Sequence, residues 1–363
     1  MTEYTERELF LIVVDSLDGL EYKYEKALVK VIGNAENPLD CPQKAKEYLF
    51  GNLPEQKAKT VALSLNRKYA ETVKNALDKR SLKAITIFSK DYPERLKNLD
   101  APPLVLYCKG DVSLLNSKKT LAAVGSRKTL PYAEALLKEI CKTVGNAGVT
   151  LVTGSATGAD RAVILSALDG GNKVISVLAG GIDHVYPDCN KSLIEKVCEN
   201  GLVISEQPPE ISSTYWMFPV RNRIIAALGD AALIASGDKK SGARHTADFA
   251  LEYGRQVFAF PYSVGITSGE LCNDLIKHGA FLCDGYEDIL SELGVSYEKK
   301  EDLVKLTDEE KVLYDAIASG EEDMTVYCIN NGVKFFEIAP ALSSLEIQGL
   351  IVKTAGNRYK PVK

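Results

Sequence analysis

Apolar residues recur in the first 79 residues of the chain at the spacing of one helix face. Leu9, Val13 and Leu17 follow one another at intervals of four, and Val61 and Leu65 repeat the interval later. Side chains at this spacing lie above one another on a helix. The pattern predicts a small module of helices over residues 1–79.

Short apolar runs replace this pattern from residue 80 onward and alternate with amphipathic stretches. The runs cover residues 84–88, 104–108, 121–124, 149–152, 174–178 and 231–235. Apolar strands that alternate with helices are typical of a parallel sheet covered on both faces. We therefore expect an α/β fold, a Rossmann-like doubly wound sheet over residues 80–297, with ligands bound beyond the carboxyl ends of its strands.

The last part of the chain follows a charged run, EKKED, which indicates a linker over residues 298–306. The pattern of three helices and a hairpin over residues 307–363 predicts a separate winged-helix domain. Thr307 and Glu310 have the spacing of a capping box at the start of its first helix, and Ala355–Gly356–Asn357 is a hairpin signal near its end.

The third predicted helix of this domain carries Lys334, Glu337 and Glu346 and no arginine. Helices that read DNA bases usually carry basic side chains, so this composition favours a contact with protein. Pro340 falls inside the same helix and should either kink it or mark its first turn.

Composition narrows the class of protein. The chain has 363 residues, 45% of them hydrophobic and 26% charged, which is typical of globular proteins. No apolar run approaches the roughly 20 residues of a membrane span, and the first residues lack the profile of a signal peptide, so we expect a cytoplasmic protein. Eight cysteines without a C-x-x-C pair and three histidines lead us to expect no disulfide, metal or cofactor.

Glycine turns follow three of the predicted strands. They read GSR at residues 125–127, TGSATGAD at 153–160 and AGGIDHVYP at 179–187. Glycine allows close backbone approach, and free N–H groups at a following helix start attract phosphate. Three such turns together predict a phosphate-binding rim with Arg127 as its charged member. The alternatives are tight strand-to-helix connections and, for Arg127, a surface salt bridge.

One stretch, residues 206–254, combines aromatic rings, arginines and a Lys-Ser-Gly loop. Tyr215, Trp216 and Phe218 precede an Arg-Asn-Arg sequence at residues 221–223, after which a helix is predicted to start at Ile224. Rings and guanidinium groups are what a single-stranded nucleic acid needs. The alternative is a buried ring with surface arginines that cap a helix. Because the net charge is −5, any nucleic-acid site must be a local basic pocket.

The GSR, TGSATGAD and LAGGIDHVYPDCN sequences, with FPVRNRIIAAL and SGARHTADFALEYGRQVFAFP, resemble the DNA-processing protein A (DprA/Smf) family over roughly residues 80–292. The resemblance implies a recombination mediator that binds single-stranded DNA and loads the RecA recombinase in DNA processing and natural transformation. It also implies a homodimer, and a binding protein with no enzyme activity. The DNA-binding residues that it implies are Ser126, Arg127, Gly154, Ser155, Phe218, Arg221, Asn222, Arg223, Ser241 and Gly242. The glycine turn and the Lys-Ser-Gly loop add Gly158, Lys239 and Arg244 to the predicted site.

Several residues of these motifs have a second interpretation. Asn222 is either a DNA contact or a side chain that holds the turn through backbone hydrogen bonds. Asp183, Tyr186 and Asn190 are interpreted as architectural, with Asn190 capping the following helix.

Two other functions compete with the family's. One is transcription regulation through the winged-helix domain, which the acidic third helix disfavours. Related Rossmann-like proteins bind nucleotides or cleave nucleoside monophosphates at the N-glycosidic bond, but AGGIDHVYP lacks the glutamate that such enzymes carry in this turn.

The resemblance also implies that the helical module is of the sterile-alpha-motif or helix-hairpin-helix kind. Members of the DprA/Smf family often have a Gly-Ile-Gly hairpin in this module. Here Leu20-Glu21-Tyr22 takes its place.

Overall fold

The computed structural model describes residues 3–17, 22–32, 35, 37–41, 43–297, 306–354 and 356–362. Three sequence features lie wholly or partly outside these residues: the Leu20-Glu21 part of the hairpin position, the charged linker over 298–302, and Ala355 of the predicted turn. The chain divides into two compact units, residues 1–297 and 298–363.

The first unit opens with five helices: α1 (Glu6–Asp15), α2 (Tyr22–Ile32), α3 (Gln43–Asn52), α4 (Glu55–Ser64) and α5 (Arg67–Lys79). A capping box between Thr5 and Glu8 starts α1. The two faces of α1 are buried differently. Phe10, Val13 and Val14 join a core among the helices, whereas Leu11 and Ile12 join the core of the following sheet. The helical module therefore packs directly on the sheet.

Nine strands form that sheet, with helices between them. The elements are β1 (Lys83–Thr86), α6 (Glu94–Lys97), β2 (Val105–Gly110), β3 (Thr120–Val124), α7 (Pro131–Asn146), β4 (Thr150–Thr153), α8 (Ala159–Asp169), β5 (Val174–Val177), α9 (Lys191–Asn200), β6 (Leu202–Ser205), α10 (Met217–Leu228), β7 (Ala231–Ile234), α11 (Ala243–Glu252), β8 (Gln256–Ala259), α12 (Glu270–Lys277), β9 (Phe281–Leu282) and α13 (Glu287–Glu292).

The strand order is β1-β2-β6-β5-β4-β3-β7-β8-β9. From β3 the chain winds outward through β4, β5 and β6 on one side, and through β7, β8 and β9 on the other, with all these neighbours parallel. At one edge, β2 pairs antiparallel with both β6 and β1. The predicted Rossmann-like doubly wound sheet is confirmed, and its direction of winding reverses between β3 and β7.

Helix α10 starts earlier than the sequence analysis predicted. It begins at Met217, so Phe218 to Arg223 are helical and do not form a connector before Ile224. Pro219 is tolerated because the first turn of a helix has no partner for its backbone N–H groups. Consecutive residues on a helix point in directions about 100° apart. The side chains at positions 221, 222 and 223 therefore cannot all face one pocket.

The second unit contains α14 (Asp308–Ala318), α15 (Met324–Asn331), α16 (Phe335–Ile347) and an antiparallel pair, β10 (Ile351–Lys353) and β11 (Tyr359–Pro361). Thr307 and Glu310 form the predicted capping box. Pro340 lies inside α16 and does not mark its first turn. The winged-helix assignment of this unit stays a prediction. No helix among the described residues is long and apolar enough to cross a membrane.

Candidate nucleic-acid interface

The turns that follow β3, β4 and β7 are joined where the winding of the sheet reverses. The backbone N–H of Ser126 donates to Oγ of Ser236 at 3.0 Å, and Oγ1 of Thr129 lies 3.0 Å from the same oxygen. The N–H of Ala159, at the start of α8, donates to the carbonyl of Ser126 at 3.1 Å. Ligands of doubly wound sheets bind at such a reversal.

The glycines after β4 are required by the protein's own atoms. Gly158 has a φ of 71°, a backbone conformation that favours glycine, and a Cβ there would lie 2.7 Å from the carbonyl carbon of Arg127. A Cβ on Gly154 would overlap a carboxylate oxygen of Asp160 and lie 2.7 Å from Arg221. The buried side chains of Asp160 and Arg221 therefore occupy the space beside Gly154 that the predicted phosphate would approach.

Arg221 is an internal partner of this turn. Its side chain is only 6% exposed, Nη1 donates to the carbonyl of Val177, and Nε donates to Oδ1 of Asn222 at 3.1 Å. Burial raises the pKa of Asp160, and the positive charge of Arg221 opposes that rise. Asp160 also accepts the N–H of Ala156 at 3.1 Å. This geometry favours a structural role for Arg221, and its DNA contact stays a prediction.

Asn190 holds the same turn from the other side, which corrects the predicted helix cap. It precedes α9, but its side chain makes no capping hydrogen bond there. Instead Nδ2 donates to the carbonyls of Ser155 and Ala156 at 2.9 and 3.1 Å, and Oδ1 accepts from Arg161 at 2.8 Å. Oγ of Ser155 donates to the carbonyl of Tyr186 at 3.0 Å, so the predicted site residue Ser155 links two glycine turns.

Arg127 is an exposed cation at this edge. Its guanidinium carbon lies 5.3 Å from the ring centroid of Phe218 and 5.8 Å from that of Tyr186. The two rings meet edge to face, with centroids 5.6 Å apart. We call these three side chains the Arg127 cluster. None of the carboxylates that the structure describes forms an ion pair with Arg127, so the alternative of a surface salt bridge finds no partner.

Tyr186 was missed as a candidate for binding because its sequence context indicated an architectural turn. Its ring is about half exposed in the structure and packs on Phe218, which is half-buried. No pattern in the sequence linked these two residues, because 32 positions separate them. Arg127 packs on both rings and thereby connects the turn after β3 with the turn after β5 and with α10.

The Lys-Ser-Gly loop after β7 reaches α10 through Asn222. Nδ2 of Asn222 donates to the carbonyl of Gly242 at 3.1 Å, which supports the structural interpretation of Asn222. Ser241 accepts the N–H of Ala243 at 3.4 Å through its hydroxyl, and Lys239 is exposed. The loop therefore adjoins the same helix as Phe218.

Two further arginines of the predicted set are held by carboxylates. Arg223 is 9% exposed and lies 2.6 Å from Glu206, and Arg244 lies 2.6 Å from Asp274 at a partly exposed position. A guanidinium that is committed to a carboxylate has to break that pair before it binds a phosphate. The geometry therefore favours a structural role for Arg223, whose DNA contact stays a prediction, and Arg244 is already paired with a carboxylate.

Arg223 belongs to a set of ionisable side chains that are largely buried, which we call the buried acidic cluster: Asp15, Glu25, Glu206 and Arg223. Burial raises the pKa of Asp15 to about 7 and that of Glu25 to about 8, and the nearby negative charges add to both shifts. The pKa of Glu206 is also raised by burial, against the opposing effect of Arg223. Tyr107 donates its hydroxyl to Asp15 at 2.7 Å.

Metal binding finds no support within the described part of the chain, where no group of three or more His, Cys, Asp or Glu side chains could hold an ion. The site is therefore built from backbone turns, two aromatic rings and one exposed guanidinium. Such groups can bind an anion and stack on planar rings.

The fold defines a doubly wound α/β protein with the exposed Arg127 cluster at its switch point. The chain belongs to the DNA recombination-mediator protein A family, whose model matches residues 83–294. It is 36% identical over 218 residues to DNA processing protein DprA of Bacillus subtilis (strain 168). The aligned region covers 60% of this chain and 73% of that protein.

Solved structures are similar as well. DNA processing protein A (DprA) from Streptococcus pneumoniae matches with a TM-score of 0.68 and 26% identity, over 82% of this chain and 100% of that one. A structure that concerns the single-stranded DNA binding mode of DNA processing protein A from Helicobacter pylori matches with a TM-score of 0.53 and 27% identity, over 58% of this chain and 95% of that one.

Proposed function

We propose that this protein binds single-stranded DNA at the Arg127 cluster and passes the strand to the RecA recombinase during DNA processing and natural transformation. The observation that carries the proposal is the position of Arg127. Its guanidinium is exposed, has no carboxylate partner among the described residues, and packs on the rings of Phe218 and Tyr186.

Each part of the cluster suits one part of a single strand. A guanidinium neutralises a phosphate, and releasing the counterions of that phosphate makes binding weaken with salt. An aromatic face stacks on any base, because every base has a π-face, so binding shows little sequence preference. Bases inside a duplex are already stacked on one another, so the rings favour single strands over duplex.

The role with RecA and the homodimer rest on membership in the family. The Helicobacter pylori protein, whose structure resembles this one, is described as binding single-stranded DNA. Loading of RecA and pairing of two copies are part of the proposal for this chain.

Hydrolysis of nucleoside monophosphates is the weaker candidate. Asp160 is the buried carboxylate of the glycine turns, and it is closed off by Arg221 and by the N–H of Ala156. The AGGIDHVYP turn contains no glutamate. Binding without catalysis fits these residues better.

The test is fluorescence anisotropy of labelled oligo-dT and of duplex of equal length, each at two salt concentrations. We expect tighter binding of the single strand and clear weakening at the higher salt. Equal affinity for duplex and single strand would contradict the proposal, as would release of free base from nucleoside monophosphates. RecA assembly on single strands, with and without the protein, tests the second part.

A further inference from the structure

Tyr215 and Trp216 are two aromatic residues whose side chains are mostly in water. Tyr215 is 90% exposed and Trp216, the only tryptophan of the chain, is 60% exposed. Large rings are usually buried by folding because they carry much apolar area. Two adjacent rings left outside indicate a surface that something else covers.

The loop that carries these rings is fixed to the turn after β5. The N–H of Gly181 donates to the carbonyl of Ile211 at 2.7 Å, and the N–H of Asp183 donates to that of Pro209 at 3.1 Å. Arg80 donates to Asp183 at 2.9 Å and to Glu210 at 2.6 Å, so one side chain joins both loops.

Met217, directly after the rings, is buried and anchors the end of the loop. A binding surface held in place before its ligand arrives loses less conformational entropy on binding. The fixed loop therefore suits a binding role for the two exposed rings.

Tyr215 and Trp216 directly precede Met217 and Phe218 in the sequence, and Phe218 belongs to the Arg127 cluster. Trp216 has helical backbone angles at the start of α10, and residues two apart on a helix point about 200° from each other. Phe218 and Trp216 therefore flank the amino-terminal end of α10. At that end the N–H of Met217 donates to the carbonyl of Thr214 at 3.0 Å and Pro219 has no N–H, so the two rings are what this end of the helix offers to a strand.

We propose that single-stranded DNA continues from the Arg127 cluster across the amino-terminal end of α10 and stacks further bases on Trp216 and Tyr215. The inference rests on the proposed function and extends its site. The neighbouring exposed positions Ser212 and Thr214 are polar, which suits a strand of bases and phosphates better than an aliphatic protein surface. A second copy of the chain is the rival occupant.

Trp216 gives a direct test, because all tryptophan fluorescence of the protein comes from this residue. We expect oligo-dT to quench the fluorescence and to protect it from acrylamide. By anisotropy, Trp216→Ala should bind oligo-dT about five-fold to about 100-fold more weakly, whereas Trp216→Phe should keep most of the affinity. Phe50→Ala, which removes another exposed ring on α3, is the control and should bind as the wild type does.

The outcomes separate the inference from the proposed function. If wild-type protein binds oligo-dT and Trp216→Ala binds it equally well, the second stacking surface is wrong and the Arg127 cluster stands. If Trp216 becomes protected as the protein concentration rises without DNA, a second copy covers it and the inference is overturned. If the wild type does not bind oligo-dT, the proposed function itself falls.

Discussion

Arg127 and Arg223 have the same guanidinium group, but their two regions differ in burial and in the partners they offer it. At the carboxyl edge of the sheet, Arg127 is exposed and packs on the faces of two rings. In the buried acidic cluster, Arg223 is paired with Glu206 beside Asp15 and Glu25. The guanidinium of Arg127 is free to contact a ligand. The guanidinium of Arg223 could contact a ligand only by leaving the charge of Glu206 unpaired.

The comparison shows how a motif of consecutive residues divides between support and binding. Helix α10 turns Phe218 toward the Arg127 cluster, Arg221 beneath the glycine turn and Arg223 into the buried acidic cluster. Three nearby residues of one helix therefore contact three different parts of the structure.

The largest effect is expected from Arg223→Ala. Removing one partner of a buried ion pair leaves the other charge uncompensated, which costs about 3–5 kcal/mol of unfolding free energy. Urea denaturation measures this loss, and oligo-dT affinity of the protein that remains folded should not change. Adding Glu206→Gln to Arg223→Ala should recover part of the stability. A variant of normal stability that binds DNA weakly would return Arg223 to the DNA site.

A smaller effect is expected from pH, through the raised pKa values of Asp15 and Glu25. The folded state holds these protons up to about pH 7 and about pH 8, whereas the unfolded state releases them near its ordinary, lower values. The stabilisation is therefore complete below about pH 4 and is lost as the pH rises toward 8.

The measurement for this effect compares wild type with Glu25→Gln in urea at about pH 5 and about pH 8. A glutamine cannot ionise, so the variant should lose less stability over this interval, by about 1–3 kcal/mol. Identical pH dependence in the two proteins would show that Glu25 does not titrate in the buried acidic cluster.

Phe218→Ala should affect binding more than folding. Loss of a stacking face costs about 1–3 kcal/mol of binding free energy per base, and the dependence of affinity on salt should stay the same because no charge is removed. Phe218→Leu is the matched control that keeps apolar volume without a ring, and it should bind as weakly. A loss of about 3–5 kcal/mol in unfolding free energy with normal DNA affinity would instead place Phe218 in the core.

Local patterns in the sequence predicted much of the fold correctly. Apolar runs gave six of the nine strands of the sheet within a few residues but not β6, β8 and β9, and the spacing of Thr307 and Glu310 gave a capping box that is present. These features depend on neighbours along the chain. The same holds for the glycine turns, whose positions after β3, β4 and β5 follow from the ends of the strands.

The partners of individual side chains could not be predicted, because they come from distant elements. Arg223 meets Glu206 from another segment, Asn190 bonds to the turn after β4, and Tyr186 meets Phe218. Nothing in the sequence near Arg221 or Arg223 distinguishes a buried arginine from an exposed arginine that binds phosphate. The start of α10 was missed because Pro219 resembles a boundary and in fact occupies its first turn.

The central claim is that Arg127, and not Arg223, meets the phosphate, and the salt dependence of oligo-dT affinity tests it most directly. Arg127→Ala should bind more weakly and lower the slope of log affinity against log salt by about one, with an unchanged melting temperature. Lys68→Ala, which removes an exposed charge on α5, is the charge-matched control and should keep the wild-type slope. A wild-type slope in Arg127→Ala, together with a reduced slope in folded Arg223→Ala, would contradict the account.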